Sequence, residues 1–123
     1  MSDTPRSRDD EPGKATFEVV SDPARGMVSV RGDLDLAHCG DLRLAIAAVE
    51  EKWPAILVVD LREVVHIDST GLRVILDAST RADAAGRRLV VVVEPGGPVG
   101  KVLELTLVTD RIEVVGDLAA AKG

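Results

Sequence analysis

Cysteine, histidine and long apolar segments are all scarce in this chain of 123 residues. The single cysteine, Cys39, excludes an internal disulfide framework and fits a reducing compartment. No apolar run approaches the roughly 18 residues that a bilayer crossing needs, so we expect no membrane span. The only histidines, His38 and His66, have no cysteine or carboxylate at a recognised metal-ligand spacing. We therefore predict no metal site and interpret both histidines as structural or solvated residues.

Basic residues are also too few to form a surface for polyanions. The chain has 21 acidic and 15 basic residues, which gives a formal net charge of -6 at pH 7. Proteins that bind nucleic acid or anionic lipid present an excess of positive charge, and this chain does not. The composition therefore argues against direct nucleic-acid binding and favours a protein or a small molecule as the partner.

The first 14 residues (MSDTPRSRDDEPGK) differ from the rest of the chain in composition. They are rich in proline, serine and charge, and they contain no apolar stretch that could serve as a signal peptide. We predict that residues 1–14 form a disordered tail and that the protein is cytoplasmic. The remaining length suits one domain, which we place at residues 15–120.

Apolar patterns of two kinds alternate along this domain, and they predict strands and helices in turn. One set of apolar residues has the spacing of a single helical face: Leu42, Ala45, Ile46, Val49 and Trp53. The turn residues between the first two strands predict an antiparallel pair, whereas strands separated by helices should be parallel. We therefore predict an α/β fold, a mixed and mostly parallel sheet of about four to five strands flanked by about four helices. The predicted strands are 15–21, 27–31, 55–61, 88–93 and 112–115, with a short crossing at 62–67; the predicted helices are one through Leu42 and Val49, then 70–85, 98–107 and a short one at the C-terminus.

The segment Asp68-Ser69-Thr70-Gly71 lies between a predicted strand and a predicted helix. The first backbone N–H groups of a helix have no partner within it, and an Asp or Ser side chain there can accept from them. The same free donors could accommodate a phosphate on Ser69. On these residues alone, a simple helix cap remains the commoner explanation.

Two short motifs in this chain resemble those of the STAS-domain anti-sigma factor antagonists. Asp68-Ser69-Thr70-Gly71-Leu72 is similar to the family's signature, and Gly32-Asp33-Leu34-Asp35, which we place directly after the second strand, is similar to its early Gly-acid-apolar-Asp segment. The resemblance extends over about residues 15–120, and the charged tail before it is unlike the compact start of the family.

The resemblance implies a bacterial switch protein. We expect no enzymatic activity, because the reactive side chains of this sequence do not form a catalytic constellation. In the family, the anti-sigma factor is itself a serine kinase that phosphorylates the serine after the aspartate, which here is Ser69. The unphosphorylated antagonist binds the anti-sigma factor and frees the sigma factor, and a PP2C-type phosphatase restores it. Thr70 is then either a second acceptor or a helix-start residue. The resemblance also implies a partner surface made by Asp33, Asp35, Asp68, Ser69, Thr70 and Gly71. Asp33 and Asp35 are alternatively only turn residues. We expect no cofactor, and we expect a switch protein of this kind to be a monomer when free.

Spacing argues against two other functions and leaves a third open. The segment 96–101 (GGPVGK) lacks the glycine spacing and the Ser or Thr of a phosphate-binding P-loop, so it is better interpreted as a glycine-rich helix entry. Asp60 lies where a two-component receiver carries its acceptor, but the acidic pair needed for magnesium is missing. A scaffold or a nucleotide-binding module, as in stress-signalling or lipid-transport complexes, remains the alternative within the same fold.

Overall fold

The computed structural model describes residues 17–52, 54–106 and 108–122. The predicted tail at 1–14 lies outside these residues, as do the first two positions of the first predicted strand, Trp53 and the last position of the third predicted helix.

The described residues form five strands and four α-helices, so the predicted fold class is confirmed. None of these helices has the length and apolarity that a bilayer crossing requires. The strands are β1 (Glu18–Asp22), β2 (Met27–Leu34), β3 (Ile56–Ile67), β4 (Arg88–Val92) and β5 (Glu113–Val115); the helices are α1 (Cys39–Glu50), α2 (Ser69–Ala84), α3 (Pro98–Leu105) and α4 (Leu118–Lys122), with a single 3-10 turn at Val108–Asp110.

The strands lie side by side in chain order, β1-β2-β3-β4-β5. β1 and β2 are antiparallel, and every later pair is parallel. The C-terminal ends of β2, β3 and β4 therefore meet at one edge of the sheet, and α1, α2 and α3 begin beyond that edge. In α/β sheets, this is the edge at which binding sites usually form.

Two strands are longer than the sequence pattern predicts. β3 continues through 62–67, the predicted crossing, and β2 continues to Leu34, so that Gly32 and Asp33 lie within the strand rather than after it. Register shifts interrupt the β2–β3 ladder between Ser29 and Arg31 and between Gly32 and Asp33. Such bulges break the regular alternation of polar and apolar residues, which is the main local signal for a strand.

The core lies mainly on one face of the sheet, against α1, α2 and α3. The predicted helical face is confirmed for Leu42, Ile46 and Val49, which are 0% exposed, and Ala45 packs against the same cluster. A smaller cluster on the other face joins Val58, Val90 and Val92 to Ala121 of α4, and all four are buried. Each fully buried aliphatic side chain contributes roughly 1.5 to 3 kcal/mol, so this core holds the strand ends and helix starts in fixed positions.

Candidate functional site

Asp68 joins the end of β3 to the start of α2. Its backbone is extended (φ -112°, ψ -175°), and it is the N-cap of the helix. One carboxylate oxygen, Oδ1, accepts from the N–H of Thr70 at 3.0 Å, from the N–H of Gly71 at 3.1 Å and from the Thr70 hydroxyl. These bonds lower the pKa of Asp68 below its ordinary value, with the largest effect from the Thr70 hydroxyl and the next from the N–H of Gly71. Asp68 is therefore a charged cap at neutral pH.

Asp68 also ties this junction to the segment after β2. Its N–H donates to the carbonyl oxygen of Leu34 at 3.2 Å, and the N–H of Leu36 helps to lower the pKa of its carboxyl group. The site is thus built from two loops at the same edge of the sheet, one after β2 and one after β3. Leu34 and Ile67 are partners in the β2–β3 ladder, which explains why the two loops meet.

Gly71 is buried at the contact between these loops. A methyl group at this position would lie 2.7 Å from the carbonyl oxygen of Leu34 and 2.7 Å from its Cγ atom. Real Cβ atoms do not approach backbone oxygens so closely, so any larger residue would push α2 away from β2. The structure gives Gly71 a packing role beneath the surface.

Ser69 and Thr70, the two candidate phosphate acceptors, differ sharply in their surroundings. Ser69 is the first residue of α2, and its side chain is exposed. Within the described part of the chain, the Ser69 hydroxyl has no hydrogen-bond partner. Thr70 is half-buried, and its hydroxyl donates to Asp68. Of these two residues, only Ser69 therefore presents a hydroxyl that another protein could reach without breaking a bond.

The structure corrects one expectation about this helix start. The sequence position predicts free backbone donors that could accommodate a phosphate. Instead, the N–H groups of Thr70 and Gly71 are bonded to the Asp68 carboxylate, and the N–H of Asp68 is bonded to Leu34. The expectation is wrong for these three groups, because the Asp68 carboxylate accepts from Thr70 and Gly71 and the carbonyl oxygen of Leu34 accepts from Asp68.

Asp33 and Asp35 occupy different kinds of position, although both are half-buried. Asp33 lies within β2 opposite His66, whereas Asp35 follows the strand and its carbonyl oxygen accepts from the N–H of His38 at 3.0 Å. The turn interpretation thus fits Asp35 and does not fit Asp33. Leu36, which follows Asp35, is 71% exposed, so this loop presents an apolar side chain close to the acidic ones.

His38, which the sequence analysis interprets as structural or solvated, makes structural contacts beside these residues. Its Nδ1 atom lies 3.0 Å from the carbonyl oxygen of Asp33 and 2.9 Å from Oδ1 of Asp35. Its ring stacks on Phe17, with the ring centroids 4.2 Å apart and the planes inclined by 9°. His38 is half-buried between β1 and the loop after β2. The one local sequence signal for these contacts is a histidine at the position just before α1, where a capping residue is usual.

Asp60, which lies where a two-component receiver carries its phosphate acceptor, is within β3 and is paired with Arg62. The residue is only 9% exposed, and its carboxylate accepts from Nε and Nη2 of Arg62 at 2.9 and 2.8 Å. Burial tends to raise the pKa of Asp60, but the hydrogen bonds and the charge of Arg62 outweigh it and lower that pKa. Among residues 17–52, 54–106 and 108–122, no group of three or more His, Cys, Asp or Glu side chains is arranged to hold a metal ion.

Comparison with known proteins gives one family and several similar structures. The family model for the Mlab, STAS domain matches residues 17–116. The crystal structure of an anti-sigma factor antagonist from Mycobacterium paratuberculosis is 26% identical, covers 90% of this chain and 93% of that one, and has a TM-score of 0.73.

Two further structures show the same fold at lower identity. The anti-sigma factor antagonist SpoIIAA in its unphosphorylated form is 18% identical over 84% of this chain and 89% of that one, with a TM-score of 0.58. A chain in the complex of the diguanylate cyclase SiaD with its activator SiaC, from Pseudomonas aeruginosa, is 17% identical over 87% of this chain and 98% of that one, with a TM-score of 0.57.

Proposed function

Because this chain belongs to the STAS domain family, we propose that it is an anti-sigma factor antagonist in a cytoplasmic, bacterial partner switch. The unphosphorylated form binds an anti-sigma factor that is also a serine kinase, and the sigma factor is released. The kinase phosphorylates Ser69 and so ends the interaction, and a PP2C-type phosphatase reverses it. The domain at 15–120 carries this function, and the free protein is a monomer.

One observation carries the choice of Ser69 as the acceptor. Its hydroxyl is exposed and unbonded within the described residues, at the edge of the sheet, whereas the hydroxyl of Thr70 is committed to Asp68. A kinase must bring the acceptor oxygen in line with the γ-phosphate, and a bonded, half-buried hydroxyl resists that movement. The likeness to anti-sigma factor antagonists supports the function, and the geometry supports the residue.

The charges around Ser69 explain how phosphate would act as a switch. A phosphoserine adds about 1.5 to 2 negative charges at neutral pH. Here the new charge would lie beside the charged carboxylate of Asp68, which already accepts from the backbone N–H groups of Thr70 and Gly71. In a complex, this charge would be removed from water against a surface fitted to a hydroxyl, at a cost of several kcal/mol. Since each 1.4 kcal/mol is a factor of about ten in affinity, a loss of roughly a hundredfold or more is reasonable.

The first experiment is phosphopeptide mass spectrometry on the protein from its native cells, before and after treatment with a Ser/Thr phosphatase. We expect phosphate on Ser69, none in Ser69→Ala, and unchanged modification in Thr70→Val, which keeps the shape of threonine without its hydroxyl. Phosphate on Thr70 in the wild-type protein would contradict the assignment. If Ser69 carries no phosphate under several growth conditions, the scaffold or nucleotide-binding alternative is favoured.

The second experiment measures binding to the kinase that co-purifies with Ser69→Ala. We expect Ser69→Ala to bind as tightly as the unphosphorylated wild type and to stay bound when ATP is added. Ser69→Asp should bind more than about tenfold more weakly, because it places a charge at the interface. Equal affinity of Ser69→Asp and the wild type would show that Ser69 lies outside the interface. A chain that self-associates without a kinase, or binds GTP or ATP in calorimetry, would instead fit the alternative.

A further inference from the structure

We propose that His38 is a positioning residue that holds the turn Asp35–His38 in the conformation required by the partner of Ser69. The role in partner binding rests on the proposed function, because it requires the kinase to bind beside Ser69. The contact between His38 and the turn is a property of the free protein. We call residues 35–38 the recognition turn.

The contacts of the imidazole ring point to this role. Nδ1 lies within hydrogen-bond distance of two oxygens, the carbonyl of Asp33 in β2 at 3.0 Å and Oδ1 of Asp35 in the recognition turn at 2.9 Å. Oδ1 of Asp35 is buried, and no well-aligned hydrogen bond from the described residues is directed at it. Nδ1 forms its hydrogen bond with the carbonyl oxygen of Asp33. Oδ1 of Asp35 lies close to the same nitrogen, but without the alignment of a hydrogen bond. The ring therefore links the end of β2 to the carboxylate of the recognition turn.

The position of His38 at the start of α1 supports a role beyond helix capping. It is the N-cap residue (φ -115°, ψ -5°), yet its side chain makes no capping hydrogen bond. Ser, Thr, Asp and Asn are the residues that cap helices well, and histidine is not among them. Departures from a local rule are expected where a residue serves another purpose. Here the side chain turns away from the helix and toward Asp33 and Asp35.

Two further contacts connect the recognition turn to its surroundings. Phe17 stacks on the imidazole ring and joins it to the start of β1. The N–H of Asp68, the residue next to Ser69, donates at 3.2 Å to the carbonyl oxygen of Leu34, which directly precedes the recognition turn. The turn itself is closed by the bond from the N–H of His38 to the carbonyl oxygen of Asp35. A displacement of His38 would thus be transmitted to the surface beside Ser69.

The test compares two substitutions that differ in reach. In His38→Asn, the amide nitrogen stands near the place of Nδ1, so the bond to Asp33 and the approach to Asp35 can be kept. In His38→Ser, the hydroxyl can cap α1 but is too short to reach Asp35. Amide hydrogen exchange of the free protein reports on the turn, and affinity for the kinase that co-purifies with Ser69→Ala reports on the partner.

We expect amide exchange at position 38, relative to the intrinsic rate of the residue there, to rise by about tenfold or more in H38S and to stay within about threefold of the wild type in H38N. Kinase affinity should fall about tenfold in H38S and be rescued in H38N. If H38S does not unfold cooperatively, His38→Gln replaces it, because its amide reaches the place of Nε2 rather than that of Nδ1.

Equal exchange in H38S and the wild type would overturn the contact. Increased exchange with unchanged kinase affinity would overturn its part in partner binding. A wild-type protein that binds no kinase would overturn the proposed function and the partner half of this proposal, while the exchange comparison would still decide whether His38 holds the recognition turn.

Discussion

Gly71 offers the sharpest test of how the site is assembled, because it is a helical glycine with no room for a side chain. In α2, Gly71→Ala should gain roughly 1 kcal/mol from helix propensity. Against this, the added methyl group would lie 2.7 Å from the carbonyl oxygen of Leu34. That oxygen belongs to β2 and also accepts the N–H of Asp68, so it cannot move without loss. Overpacking costs about 1 to 3 kcal/mol, and a backbone obstacle favours the upper end. We expect a net loss of about 2 kcal/mol.

Gly40 provides the matched control. It also lies in the first turn of a helix, α1, but a Cβ atom there would meet nothing within 4 Å. Gly40→Ala should therefore be stabilising by up to about 1 kcal/mol. The two variants should differ by about 3 kcal/mol, or roughly 12 °C in Tm for a domain of this size.

Urea unfolding followed by circular dichroism measures this difference directly, provided that the m-value is unchanged. Gly71→Ala should also bind the kinase partner more weakly, since α2 would be displaced from β2. Equal stability of Gly71→Ala and Gly40→Ala would refute the close approach of α2 to Leu34, and with it the described geometry of the site.

Two further predictions concern ion pairs. Asp60→Asn should lower the free energy of unfolding by about 1 to 2 kcal/mol at pH 7, a modest value because Arg62 is 36% exposed. The pKa of Asp60 is lowered in the folded state, so ionised Asp60 contributes to the free energy of unfolding above about pH 4, and this contribution is lost as the pH falls through the folded pKa. In urea titrations, the difference in the free energy of unfolding between Asp60→Asn and the wild type should therefore be smaller at about pH 3 than at pH 7. A difference that does not change with pH would contradict this. Arg88→Gln, which removes the exposed pair with Glu113, should leave the Tm within about 2 °C at physiological salt, and a larger fall in thermal unfolding would show that the pair anchors β5.

The elements of the fold could be predicted because their signals are local. The apolar face of α1 and the runs in β3 and β4 reflect burial, which the spacing of apolar residues reveals directly. The continuation of β3 through 62–67 was missed because Arg62 and Glu63 are exposed strand residues next to a register shift. A pattern of alternating burial does not survive a bulge.

The candidate site could be predicted only in part. Ser69 and Asp68 were found from their position between a strand and a helix and from a resemblance in sequence. Which hydroxyl is unbonded, and where the backbone donors are directed, depended on the side-chain geometry of Asp68.

The sequence by itself determined the alternation of strands and helices and the position of Ser69 at the start of a helix, because both follow from neighbours along the chain. Only the tertiary structure decided that Gly71 lies against Leu34 and that His38 reaches Asp33 and Asp35 while its ring stacks on Phe17. These contacts depend on the register between β2 and β3 and on the pairing of β1 with β2. Register is set by the packing of the whole sheet rather than by any single segment.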